Sequence, residues 1–160
     1  MNTIVKAGLI LGLGCEAWTF LMGFTGWYKD PALLNLFWVV ILIQVGVLIW
    51  GLSQTAAQGR KYGGQLGAGT MMSAVAAVIV FLGSLLFTAV VFPDYFQEVG
   101  AMQQQMLSDQ GRSAEEIEQI ANAQAAFMTP VVNAITGAVM TVITGFLCSL
   151  VIGAFVRSKN

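Results

Sequence analysis

Four long apolar runs govern what this chain can become. They extend from about Ile4 to Phe24, Leu33 to Leu52, Ala68 to Phe92 and Pro130 to Val156. A helix needs about 20 mostly apolar residues to cross the hydrocarbon core of a bilayer, and each run reaches that length. In lipid every backbone N–H and C=O must be paired inside the structure, so the runs are read as helices. The alternating segments of about 10 residues that mark a membrane β-barrel are absent from the sequence. The expected fold is all-α, a single membrane domain of four transmembrane helices. Residues 93–129 form a helical hairpin outside the membrane between spans three and four.

Composition agrees with this reading. Charged residues are 9% of the chain and apolar residues 57%, against roughly 25% charged in ordinary soluble domains. The net charge of -1 offers no basic patch of the kind nucleic acid requires, so the lipid bilayer is the expected partner. There is no histidine, which excludes histidine-based zinc and haem sites and the Ser–His–Asp and Cys–His hydrolases. The two cysteines, Cys15 and Cys148, cannot supply four thiolates; both lie in apolar runs and are read as small hydrophobes. With no nucleophile–base pair or metal set in view, no cofactor and no enzymatic activity are expected.

The few charges set the orientation. Lys6 opens span one, Arg60 and Lys61 lie between spans two and three, and Arg157 and Lys159 follow span four. Four spans put these on one side, and basic residues favour the cytoplasm. The segment between spans three and four carries Asp94, Glu98, Asp109, Glu115, Glu116 and Glu118 against Arg112 alone. Both termini are therefore expected in the cytoplasm of a bacterial inner membrane, with the acidic segment outside. Trp27, Tyr28, Phe37, Trp38, Tyr95 and Phe96 mark the outer interface, and Trp50 and Tyr62 the inner one. Gly12-Leu13-Gly14-Cys15 has the outline of a lipoprotein cleavage site. It lacks the usual leucine three residues before the cysteine, and the apolar run continues past it, so the first run is read as a span.

Within residues 93–129, Asp94 is placed to cap a helix on which Tyr95, Phe96, Val99, Met102 and Met106 recur at helical spacing. Gly111 stops it. Ser113 and Glu116 form a capping box for a second helix, whose apolar face is Ile117, Ile120, Ala121, Ala125 and Met128, interrupted by Gln124. Thr129-Pro130 opens span four. Such faces usually bury themselves against each other. The alternative is a contact surface for a second copy of the chain or for a membrane or periplasmic protein.

Small residues point to helix contacts, because membrane helices gain from close backbone approach more than from burying Leu against Leu. Gly137, Thr141, Gly145, Ser149 and Gly153 follow each other every four residues on span four; Gly8 and Gly12 lie on span one, and Gly69, Ser73 and Ala77 on span three. Either the stripe packs inside one bundle or it is a homodimer seam. Gly63, Gly64, Gly67 and Gly69 beside Arg60-Lys61-Tyr62 lack the Gly-Lys-Ser/Thr ending of a phosphate loop and are read as a flexible basic turn.

One acid falls inside a span. Glu16 lies roughly 18 Å from the inner edge, and Gln44 of span two roughly 12 Å, at 1.5 Å per helical residue; Thr144 of span four falls at a similar depth to Glu16. The three are a candidate intramembrane polar site. A charge at the bilayer centre costs about 2.5–3.5 kcal/mol on insertion scales. Glu16 therefore either stays protonated and donates a hydrogen bond to Gln44 or a carbonyl, or faces water and handles a proton or cation.

The short basic entry to span one, Gly59-Arg60-Lys61-Tyr62 before a glycine-rich helix entry, Val91-Phe92-Pro93-Asp94-Tyr95, Gly111-Arg112-Ser113-Ala114-Glu115-Glu116-Ile117 and the basic end of span four occur in a characteristic order. In these the chain resembles a family of bacterial membrane proteins known only as domain of unknown function 4199. The resemblance implies a four-span inner-membrane protein and transfers no activity and no site residues. The favoured expectation is a structural or partner-binding role through the outer hairpin; the rival is a small transporter or proton- or cation-coupled protein using Glu16.

Overall fold

A computed structural model describes residues 2–158; Lys159, counted among the basic residues after span four, lies outside them. Among the described residues there are six α-helices and no strand: α1 (Thr3–Thr25), α2 (Val39–Ala57), α3 (Tyr62–Leu86), α4 (Tyr95–Asp109), α5 (Ala114–Ala125) and α6 (Pro130–Phe155). Four segments are long and apolar enough to cross a membrane: Thr3–Thr25, Pro31–Ala57, Tyr62–Val91 and Pro130–Phe155.

Local chemistry sets the ends. Asn2 accepts from the N–H of Ile4 at 3.2 Å to start α1, and Gly26, at φ 72°, ends it in the left-handed conformation that glycine adopts freely. Asp30 accepts from Ala32 N–H, and Pro31 follows at the first position of a 3-10 segment, Pro31–Trp38, that leads into α2. In that segment the indole of Trp18 donates to Leu36 O at 2.9 Å. The C-terminal end of α3 widens into a π turn, Phe87–Val91, closed by Phe92 N–H donating to Phe87 O at 2.8 Å. The extra residue brings the rings of Phe87 and Phe92 to 4.6 Å, and both lie over Gly23 of α1.

The bundle is built around α3, which packs closely on α6 and on α1; α2 closes the other side against α1 and α6. The interior joins large apolar side chains, among them Leu11, Met22, Leu48, Leu52 and Met72, to small and polar ones. Gly8, Gly12, Gln65, Gly69, Ser73, Gly145 and Ser149 are buried, while Leu13, Leu42, Val78, Leu82 and Val151 are exposed toward the surrounding lipid. An apolar exterior with small residues at the helix contacts is what a bundle in hydrocarbon requires, since close backbone approach, and not burial of leucine, brings the helices together. The stripe on α6 faces α3. A β-carbon on Gly145 would meet Ser73, one on Gly69 would meet Ser149, and one on Gly153 would stand 3.3 Å from Gln65 Cβ. Each step advances four residues along one helix and retreats four along the other, as antiparallel neighbours do.

Span three starts at Tyr62, six residues before the expected Ala68, so the four glycines read as a flexible turn are helical. A glycine costs about 1 kcal/mol in a helix interior, and tertiary contacts override that here. Gln65, fully buried, donates from Nε2 to Leu52 O and to Val156 O, both at 2.9 Å, and accepts from the Thr55 hydroxyl. One amide thus ties α2, α3 and the end of α6 together, and Gly69 admits Ser149. Gln65→Leu is expected to cost about 1–2 kcal/mol by leaving these partners unmatched; melting in detergent reads it, and an unchanged midpoint removes Gln65 from the account.

The α4–α5 hairpin joins the bundle through the first loop. The hydroxyl of Tyr28, 2% exposed, donates to Glu98 Oε2, and Lys29 Nζ donates to Glu98 Oε1 at 2.7 Å. Tyr28 was expected at the lipid interface; it lies instead against Phe92 and Tyr95, its ring 5.1 Å from that of Tyr95. The Lys29 ammonium, and then the Tyr28 hydroxyl, hold the Glu98 carboxyl below the usual carboxylate range. The bond to Glu98 raises Lys29, and burial, followed by the bond to Glu98, raises Tyr28. The Glu98 contribution is present above the ordinary carboxylate range and lost as pH falls through its lowered value; those of Lys29 and Tyr28 are present below their ordinary values and lost as pH rises through the raised ones. The stability of wild type relative to Glu98→Gln is expected to be flat from about pH 5.5 to about pH 9 and to shrink on either side. Paired melting curves across pH check it, and a difference independent of pH would show that the ion pair is idle.

The capping box of Ser113 and Glu116 forms as expected, and Thr129 caps α6. Asp94 occupies the cap position of α4 without a side-chain hydrogen bond. On the α4 side the groove toward α5 is lined by Phe96, Gly100, Gln103 and Leu107 among others; of the expected face Tyr95, Phe96, Val99, Met102 and Met106, only Phe96 borders it.

Candidate functional site

On the α1–α3 seam the glycines of α1 receive side chains of α3. A β-carbon on Gly8 would stand 2.6 Å from Val75 Cβ, and one on Gly12 would stand 2.8 Å from Ile79 Cβ. Both helices then advance four residues, to Glu16 and Gly83, and the relation reverses: Gly83 is the hollow and the Glu16 side chain fills it. Four residues further on, Phe20 meets Phe87 edge to face at 5.3 Å. The acid is therefore fixed in the register of a tight parallel helix pair. It is 8% exposed, and its Oε2 has no hydrogen-bond partner.

Glu16 also borders a chamber of about 290 Å³ among α1, α2, α3 and α6. The other polar groups on it are Cys15, Gln44, Thr141 and Thr144, and the remaining wall is apolar, including Val40, Ile41, Val80 and Met140. Gln44, 4% exposed, donates from Nε2 to Thr141 O at 2.9 Å and accepts from the Thr144 hydroxyl at 2.9 Å. The three residues singled out from the sequence thus border one chamber, but only Gln44 and Thr144 are bonded to each other. Of the partners considered for a protonated Glu16, Gln44 is not hydrogen-bonded to it; its amide bonds to α6. A second orphan, Ser73 Oγ, lies deeper, against Gly145. Among the described residues no group of three or more His, Cys, Asp or Glu is placed to hold a metal.

Gly83 escaped the sequence reading. Its signal was there, in the four-residue spacing from Val75 through Ile79, but it acquires meaning only once α1 and α3 are known to lie parallel and in register. The stripe residues divide by role: Gly145, Ser149 and Gly153 hold α6 against α3, Gly137 lies against Val80 and Ser84 of α3 at the edge of the chamber, and Thr141 lines the chamber.

A model of the family described as Protein of unknown function (DUF4199) matches residues 6–158. The chain belongs to this family. The match runs from the first turn of α1 to the residues after α6, so the DUF4199 unit includes the whole bundle, the hairpin and every residue on the chamber. Comparisons with curated proteins and with solved structures return no match. The family description assigns no activity.

Proposed function

We propose that this is a non-enzymatic protein of the bacterial inner membrane whose working site is the chamber at Glu16, where a small guest is bound or passed on. The observation that carries the reading is the Glu16 carboxyl, more than nine-tenths buried, with Oε2 unpartnered and an open chamber beside it. Buried polar atoms are nearly always satisfied, and an orphan calls for an explanation. An ionisable residue inside a membrane bundle marks a functional site by default. In this reading both termini are cytoplasmic. Its support is that Lys6, Arg60, Lys61 and Arg157 fall at one end of the bundle, while the acidic hairpin connects the helix ends opposite.

A lipid-soluble carbodiimide tests access to the acid. Dicyclohexylcarbodiimide is expected to label Glu16 in the folded protein, giving an adduct on the α1 peptide by mass spectrometry that is absent from Glu16→Gln. Labelling of Glu16 only after unfolding would make it a sealed strut and end this reading.

The hairpin supports a second reading, a contact surface outside the membrane. No residue of α4 or α5 is buried, and a groove of about 290 Å³ lies between them, lined in part by Leu107, Ile117, Ile120 and Met128. A second copy of the chain or a membrane or periplasmic protein would cover it. Mass measurement of the intact protein in detergent, with and without Ile117→Ser and Ile120→Ser, decides the first case: a dimer that the substitutions dissociate supports it, and an unaltered monomer rejects it.

A further inference from the structure

We infer that the guest of the Glu16 chamber is a small apolar molecule bearing one protonated amine, its ammonium set against Glu16 and its apolar body among Val40, Ile41, Val80 and Met140. The inference rests on the reading of the chamber as a binding site and names the chemistry that fits it.

The argument is one of matching unpaired groups. Gln44 donates from Nε2 to Thr141 O, and the single proton of the Thr144 hydroxyl is shared between Gln44 Oε1 at 2.9 Å and Met140 O at 2.7 Å. These groups satisfy each other and ask nothing of a guest. The carboxyl of Glu16 receives no hydrogen bond; its Oε2 is packed into the Gly83 hollow of α3, so the chamber meets the acid through its other oxygen. A guest that completes the chamber therefore brings one strong donor, and opposite a carboxylate in an apolar surround that donor is best when it carries positive charge. No lysine or arginine lines the chamber, so the charge must come with the guest.

An inorganic cation fits poorly. Calcium takes 6–8 oxygen ligands and magnesium a near-octahedral set, and the wall offers one free carboxylate. A proton alone would use Glu16 and leave about 290 Å³ of apolar space without purpose. That volume is at the lower end of small-molecule pockets, which are mainly apolar with a few placed polar groups. The rim agrees with a guest that dissolves in lipid. Trp38 and Met140 both border the chamber and are 70% and 49% exposed, so it opens sideways between the start of α2 and α6.

The probe is N,N-dimethylhexylamine, a tertiary amine that is protonated at neutral pH and cannot form an amide with an activated carboxyl. Its uncharged comparison is 1-hexanol. On the full chain in detergent, the amine is expected to raise the melting temperature and to slow carbodiimide labelling of Glu16 about tenfold at ten times its Kd. Hexanol is expected to do neither, and Glu16→Gln to lose the thermal response. Protection from labelling is read on wild type, so the test stands even where the variant folds poorly. Equal protection by hexanol would overturn the inference in favour of any apolar guest. An equal melting shift in Glu16→Gln would assign the effect to the detergent and overturn it as well. Labelling of Glu16 that the amine leaves unchanged would reject the amine while the chamber stands; failure to label Glu16 at all would remove both.

Discussion

Gly145→Leu is expected to lower stability by about 3 kcal/mol, at the upper end of what overpacking a close contact costs, whereas Gly46→Leu is expected to change it little. The two glycines sit in helices of similar hydropathy and differ in what a side chain would meet. At Gly145 a β-carbon would collide with the Ser73 hydroxyl, stand 2.5 Å from Ser73 Cβ and reach within 3.0 Å of Gln44 Nε2. At Gly46 nothing lies within 4 Å. The leucine at 145 must push α6 off α3 along the seam where Gly69 and Ser149 also meet, and in doing so it strains the bonds of Gln44 to Thr141 and Thr144. For a domain near this size the expected fall in melting temperature is roughly 6–12 °C. Parallel melting of the two variants decides it. Equal losses would mean that glycine matters here through helix flexibility and not through close approach.

That seam was legible in the sequence because its signal is local: a four-residue repeat of Gly, Thr and Ser on one helix needs no knowledge of the partner. The spans were legible for the same reason, as was the capping box of Ser113 and Glu116. What could not be read was relational. The glycines before Gly69 look like a loop until Gln65 is seen bridging Thr55, Leu52 and Val156, contacts that no local pattern announces. Tyr28 has the composition of an interface residue, and its burial follows from Glu98, 70 residues away. The chamber was half legible. Depth along the spans brings Glu16, Gln44 and Thr144 to neighbouring levels, but the pairing of Gln44 with Thr144 that leaves Glu16 unsatisfied depends on how the helices are rotated about their axes.

The α1–α3 register allows the role of Glu16 to be tested without knowing its guest. Gly83→Ala is expected to cost about 2 kcal/mol in wild type and almost nothing when combined with Glu16→Ala, a coupling within the usual range for contacting residues. The reason is geometric: a β-carbon at position 83 would fall on the Glu16 carboxyl and 2.6 Å from its Cγ, so the penalty exists only while the glutamate side chain does. Glu16→Ala alone is expected to leave stability unchanged or to raise it. The substitution removes an acid with an unsatisfied buried oxygen, which offsets the packing lost where its side chain fills the Gly83 hollow. Three variants measured against wild type in one detergent complete the cycle. A Glu16→Ala protein that melts well below wild type would make the acid a structural strut. A Glu16→Ala protein as stable as wild type or more so leaves the acid without a structural reason to be there, and its reason is then the guest it meets.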